Sequence, residues 1–193
     1  MDDGLSEVRA LFQPDEALVE KVVSTSNEWQ GKIFSVEHDE VVAADGVRGW
    51  REIVRHHGGA GVVAVRDGRI CLVRQWRVAQ NRMTLEIPAG KLDAGETGAD
   101  CAARELAEET GLVACSLEPL VSVLGSPGFT DEHTDVFVAR SFVEGAAAPD
   151  AGEVVRVVWL PAGQVLAAIF AGLIRDGKTV SGVLAAVAKG MLE

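Results

Sequence analysis

Apolar and polar positions along this chain change their period several times, and each change marks an element. Within the first 57 residues the runs EALVEKVVS, KIFSVEHDEVV and VRGWREIVRH read as three strands, with the turn-like AADG before the third. The residues ahead of them, punctuated by Pro14, read as a loose or short helical lead. GVVAVRD and RICLVRQWR meet at Asp67-Gly68, a favoured two-residue turn, and so form a hairpin. MTLEIPAG is a short strand. The period then becomes helical, with Ala99, Ala102, Ala103, Leu106 and Thr110 on one narrow stripe of small residues. Thr97 can cap that helix, with Asp100 three residues on, and Gly111 suits the left-handed position that ends it. LVACSLEPLVSVLGS reads as a long strand broken near Glu118-Pro119, and TDVFVARSFV and EVVRVVWL as further strands. Pro161 suits the first residue of a helix through Phe170, and a last helix spans 181–191.

Strands before and after one well-marked helix predict an α/β fold, preceded by a small antiparallel sheet with little core of its own. At 193 residues the chain suits one ordinary domain with an appendage. Its net charge of −11 argues against a nucleic-acid backbone as partner. No apolar run reaches the length of a membrane span, and MDDGLSEVRA has no signal-peptide pattern, so a cytoplasmic location is expected. Cys71, Cys101 and Cys115 are odd in number and read as small buried hydrophobes in a reducing compartment.

The candidate chemistry sits in GKLDAGETGADCAARELAEETGL, residues 90–112. Glu105, Glu108 and Glu109 stand at i, i+3 and i+4, hence on one helix face, where like charges repel. Such a face is either solvated or supplied with a cation, and carboxylate oxygens are the donors Mg²⁺ and Mn²⁺ prefer. The whole string has Gly90, Glu96, Arg104-Glu105-Leu106, Glu108-Glu109 and Gly111-Leu112 at fixed offsets, and it resembles the complete Nudix box. The resemblance implies an α/β/α sandwich with a mixed sheet. It also implies a loop–helix–loop that holds divalent metal, Mg²⁺ with Mn²⁺ as the alternative, and hydrolyses a nucleoside diphosphate linked to another moiety.

Two further stretches resemble the ADP-ribose pyrophosphatase subgroup. SPGFTDE carries Pro127 fifteen positions after Leu112, and the resemblance makes Pro127, Gly128 and Phe129 candidates for bordering the ligand. LEIPAG leads into the box, which implies the Ala89 carbonyl as a metal ligand beside Glu96, Glu105, Glu108 and Glu109, and Glu86 as a supporting or substrate contact. In VRQWR, strand alternation separates Arg74 and Trp76 from Gln75 and Arg77. Either arginine could pair with phosphate through its planar fork, or simply lie in water at a sheet edge. Arg104 reads as holding the box acids by ion pairing. The subgroup's late acidic loop implies a base among Glu144, Asp150 and Glu153, of which Glu153 lies nearest the next strand. The subgroup is dimeric, which makes Phe34, Trp29, Trp50 and Arg51 candidates for completing a partner's site, with plain interface packing the alternative for the tryptophans.

These readings divide the chain into an N-terminal β-rich dimerisation region, 1–57, and a Nudix hydrolase domain, 58–193. The expected activity is Mg²⁺-dependent hydrolysis of ADP-ribose, or a related nucleoside diphosphate sugar, to AMP and ribose 5-phosphate by a homodimer. The alternatives are a Nudix hydrolase of a GDP-sugar or nucleoside triphosphate, and a non-catalytic ADP-ribose-sensing module. The intact box and the absence of a DNA-binding appendage speak against sensing.

Overall fold

A computed structural model describes residues 4–149, 152 and 154–192. The chain divides into two compact units: residues 1–56 with 128–130, and residues 57–127 with 131–193.

The first unit opens with a short helix, α1 (Ser6–Ala10), and continues as β1 (Lys21–Gln30), β2 (Phe34–Val42) and β3 (Arg48–His56). The three strands form an antiparallel sheet in the order of the sequence. β1 continues through Asn27–Gln30, beyond the run EALVEKVVS, with a shift of register against β2 between Asn27 and Trp29. Trp29 folds over Gly31, and a Cβ at that position would fall inside the indole ring. All of β1 is exposed, including Val22, Val23 and Trp29, so this sheet buries few apolar side chains. The backbone of Phe129 joins this unit by accepting a hydrogen bond from the Val54 amide at 2.8 Å.

The second unit begins with β4 (Gly59–Arg66) and β5 (Arg69–Arg77). Asp67 and Gly68 both take positive φ, as the two-residue turn between twisted strands requires. A 3₁₀ turn (Val78–Gln80) leads to β6 (Arg82–Glu86) and β7 (Ala89–Lys91), followed by helix α2 (Gly98–Thr110). Next come β8 (Leu112–Ala114), β9 (Glu118–Leu124), β10 (His133–Ala139), β11 (Phe142–Glu144) and β12 (Arg156–Pro161). Helices α3 (Ala162–Phe170) and α4 (Gly177–Ala188) close the chain.

The main sheet has the order β12-β5-β4-β10-β9, with β6 on β5 and β7 on β4. It is mixed, because β4 and β10 run parallel and the other pairs antiparallel. β4 is buried along almost its whole length. Its Val63 and Val65 join a core with Val165 of α3 and Val183 and Ala186 of α4. Its Ala60, Val62 and Ala64 join another with Cys101, Ala102 and Leu106 of α2. A strand buried on both faces reads as a continuous apolar run, which is how GVVAV appears in sequence. Helices therefore cover both faces of the sheet.

Several expected boundaries move. α4 begins at Gly177 rather than 181, because Asp176 caps it by accepting from the Thr179 amide at 3.0 Å. Pro161 ends β12 and precedes α3 rather than opening it. On α2 the small-residue stripe is rotated: Ala99 is exposed, while Cys101, Ala102, Leu106 and Glu109 are buried. Cys71 and Cys101 are buried as expected, and burial pushes both thiols up to about 12, but Cys115 is exposed. Among the described residues no helix is long and apolar enough to cross a membrane.

Candidate active site

The acidic helix is fixed at both ends by local chemistry. The Thr97 hydroxyl accepts from the Asp100 amide at its start, and Gly111 turns it off at φ 75°. Between them one turn of α2 presents Glu105, Glu108 and Glu109, and Arg104 gathers the acids around itself. Its guanidinium donates to Glu96 from two nitrogens, both at 2.9 Å, to Glu105 at 2.7 Å and to Glu108 at 3.1 Å. A fifth contact reaches the Lys91 carbonyl at 3.1 Å, which ties the helix to the strand that precedes it. Arg104 holds the Glu96 carboxyl down at about 2 and is itself raised, first by its bonds to Glu96.

Glu109 behaves differently from its neighbours. It is buried, and its Oε2 accepts from the Ala89 amide at 3.0 Å. Glu105 lies against Gly90 so closely that a Cβ there would fall inside the carboxylate. A side chain at position 90 would push the acid aside, and this is the physical reason for glycine at the start of the box.

Among the described residues no three Asp, Glu, His or Cys side chains converge tightly enough to enclose a metal as they stand. Arg104 instead takes the oxygens of three carboxylates. The donor set still fits a hard divalent cation. The side chains are carboxylates, they crowd one turn of helix against a strand, and they already surround one positive centre.

Arg77 and Glu86 form a second constellation next to the first. Arg77 grips Glu86 bidentately at 2.8 and 2.7 Å, and Lys178 and Thr84 add bonds at 2.6 and 2.7 Å. Burial alone would raise the Glu86 carboxyl, but Arg77 and then Lys178 and Thr84 outweigh it and hold the group at about 2. Arg77 is raised, chiefly by its bond to Glu86, and it also feels the charge of Glu109.

Of the residues singled out from sequence, the structure thus brings Arg77, Glu86, Ala89, Glu96, Arg104, Glu105, Glu108 and Glu109 together in the second unit. Arg74 is exposed, whereas Gln75 on the alternate face is buried. Glu144 pairs with Arg66 at 2.8 Å. Glu153 and Asp150 lie outside the described residues. In the first unit Phe34 packs on Trp29 with ring centroids 5.0 Å apart, Trp50 packs on His38 at 4.4 Å, and Arg51 pairs with Glu20. Gly128 and Phe129 belong to that unit, and Pro127 to the other.

Sequence reading missed Lys178, Asp176 and Thr179. The Thr179 hydroxyl accepts from the Ile87 amide at 2.9 Å and donates to Asp176 at 2.5 Å, so it pins LEIPAG to the start of α4. The signal was present as Asp176 followed three residues later by Thr179, an N-cap pattern hidden by placing the helix start too late.

A mixed sheet between helices, with an arginine-bound acidic helix fastened to its strand, defines a Nudix fold and site. The Nudix domain profile matches residues 55–180, and the chain belongs to the Nudix family of hydrolases. It is 38% identical to the methanol dehydrogenase activator of Bacillus methanolicus and 36% identical to the ADP-ribose pyrophosphatase of Bacillus subtilis. Each match covers 85% of this chain and 90% of the relative. It is also 32% identical to the GDP-mannose pyrophosphatase of Yersinia enterocolitica, over 74% of this chain and 80% of that protein. A crystal structure of an ADP compounds hydrolase superposes with a TM-score of 0.80 at 20% identity, over 92% of this chain and 100% of the other, and supports the fold.

Proposed function

We propose that this protein is a Mg²⁺-dependent pyrophosphohydrolase that cleaves ADP-ribose to AMP and ribose 5-phosphate. The observation that carries the reading is the fastening of Arg77, Glu86, Ala89 and Glu109 into one run of contacts. It joins an arginine suited to phosphate oxygens to a helix of carboxylates suited to a divalent cation. The choice of ADP-ribose rests on the SPGFTDE loop and on the relative from Bacillus subtilis that bears that activity in its name.

In this reading Glu105, Glu108, Glu109 and Glu96, with the Ala89 carbonyl, hold Mg²⁺, and Mn²⁺ can replace it. What the ion supplies when bound is neutralisation of diphosphate charge and acidification of water. The chain does the rest. Glu109 is positioned by the Ala89 amide, so it meets the substrate already oriented. Arg104 keeps the flanking carboxylates in place. Arg77, locked by Glu86, offers its remaining N–H groups to the diphosphate. Glu153 is the base assigned by resemblance. Pro127, Gly128 and Phe129 border the nucleoside, and Phe34 and Arg51 serve the site of a second copy in a cytoplasmic homodimer. The exposed apolar residues of β1 support that assembly.

Incubating the purified chain with ADP-ribose and Mg²⁺ should release AMP and ribose 5-phosphate, and EDTA should stop the reaction. A GDP-sugar is the second reading, favoured by the Yersinia relative. Faster cleavage of GDP-mannose than of ADP-ribose, at equal concentration, would replace the first reading with the second. Light scattering at micromolar protein should return twice the chain mass, and a monomeric mass would remove the dimer.

A further inference from the structure

A cavity of about 380 Å³ opens beside the LEIPAG strand, between β6 and the start of α4. Four cationic side chains, Arg77, Arg82, Arg175 and Lys178, line it against two carboxylates, Glu86 and Asp176. In a chain of net charge −11 this is a local reversal of sign, and a concave one, which concentrates its field on whatever enters.

Glu86 is not available to a ligand. Its Oε1 accepts from Arg77 Nε and Thr84, and its Oε2 from Arg77 Nη2 and Lys178, so the four acceptor positions of the carboxylate are used. What it does is hold two cations side by side. Lys178 spends one N–H on Glu86 and a second on Asp176 at 2.9 Å, which leaves a third. Arg77 spends two of its five. Two preorganised cations with donors to spare suit a dianion such as a phosphomonoester.

The volume sets the size of the guest. It lies at the small end of ligand pockets, roughly 300–1,000 Å³, which suits a monosaccharide phosphate better than a whole nucleoside diphosphate sugar. The position sets its identity. Glu86, in the cavity wall, stands three residues before Ala89, whose amide holds Glu109, and Arg77 feels the Glu109 charge, so this wall is linked along the strand to the acidic helix where the diphosphate would be cut.

We propose that this cavity binds the sugar-phosphate half of the substrate, and retains it as product, with Lys178 and Arg175 as phosphate-binding residues beside Arg77. The proposal rests on the reading of the protein as a hydrolase of nucleoside diphosphate sugars. Lys178 acts on the part of the substrate that is not the nucleoside, so it governs which sugar phosphate is accepted.

The test is calorimetric titration of the intact chain with ribose 5-phosphate, orthophosphate and AMP, separately. Lys178→Met should weaken ribose 5-phosphate by about tenfold and leave AMP unchanged, and Lys178→Arg should restore most of the loss. Arg175→Gln, at the exposed rim, should weaken it by a smaller factor and serves as the second probe if Lys178→Met does not fold. Equal affinity of ribose 5-phosphate for wild type and both charge-removing variants would overturn the proposal. So would an equal loss for AMP, which a structural role for Lys178 would give, or orthophosphate binding as tightly as the sugar phosphate. Because the readout is binding, the two readings fail separately. A chain that binds ribose 5-phosphate through Lys178 but leaves ADP-ribose intact keeps the cavity and loses the substrate.

Discussion

Two clusters in the second unit use the same side-chain types in opposite proportions. On α2 one guanidinium serves three carboxylates, those of Glu96, Glu105 and Glu108. Beside it one carboxylate, Glu86, serves Arg77 and Lys178. The first cluster keeps negative charge in excess at half-buried positions, and the second, once Asp176 on Lys178 and the cavity's Arg82 and Arg175 are counted, keeps positive charge in excess around a buried acid. Neither composition is self-sufficient, since an uncompensated charge out of water costs several kcal/mol. In the function proposed above, a divalent cation completes the acid-rich cluster and an anion the cation-rich one, and a metal-bound diphosphate supplies both together. The lesson is that the ratio of acids to bases around an arginine matters more than the arginine itself.

The comparison can be broken at four points. The largest effect is expected at Glu109, which touches both the strand and the acidic face. Glu109→Gln keeps the shape and should lower kcat by at least about 10³-fold while circular dichroism and thermal unfolding stay close to wild type. A variant that turns over normally would detach the helix from catalysis. Next comes Glu86→Gln, which leaves two cations with half a counter-charge. It should cost roughly 3 kcal/mol in urea unfolding at pH 7. The sign of its pH dependence follows from a folded-state carboxyl held at about 2, below the ordinary glutamate value. Its contribution is complete above the ordinary value and is lost as pH falls through the folded one. The gap between wild type and variant should therefore close between about pH 4.3 and pH 2. A gap independent of pH would mean that packing rather than charge is lost.

Arg104→Leu releases the acids on the other side of the comparison. It should weaken activation by Mg²⁺ by about 10–100-fold, read as the metal concentration for half-maximal rate. Tighter metal binding would show that Arg104 competes with the ion instead of preparing its site. The smallest effect belongs to Thr97→Ala, which removes the cap of α2 without touching either cluster. A loss of about 1 kcal/mol in stability with kcat unchanged is expected, and a fall in kcat would show that helix register, not charge, sets the site.

Much of this was legible in the chain itself. The hairpin at Asp67-Gly68, the capped and glycine-terminated α2, and the spacing of Glu105, Glu108 and Glu109 depend on neighbours a few residues apart. Local propensity and periodicity report such features directly. Arg104 as the holder of the box acids was legible for the same reason, since three of its partners lie within eight residues. The late helix was read less well, because a polar first turn, Gly177 to Thr179, resembles a loop until its cap is seen.

What the sequence determined by itself was the class of fold and the acidic helix, because both arise from short-range pattern. What only the tertiary structure decided was that Glu109 is buried against the strand, that Glu86 is saturated, and that Lys178 reaches it from 92 positions away. No period in a sequence encodes a contact of that separation. It forms when the mixed sheet and α4 pack around one core, and that packing sets the cationic cavity between β6 and the start of α4.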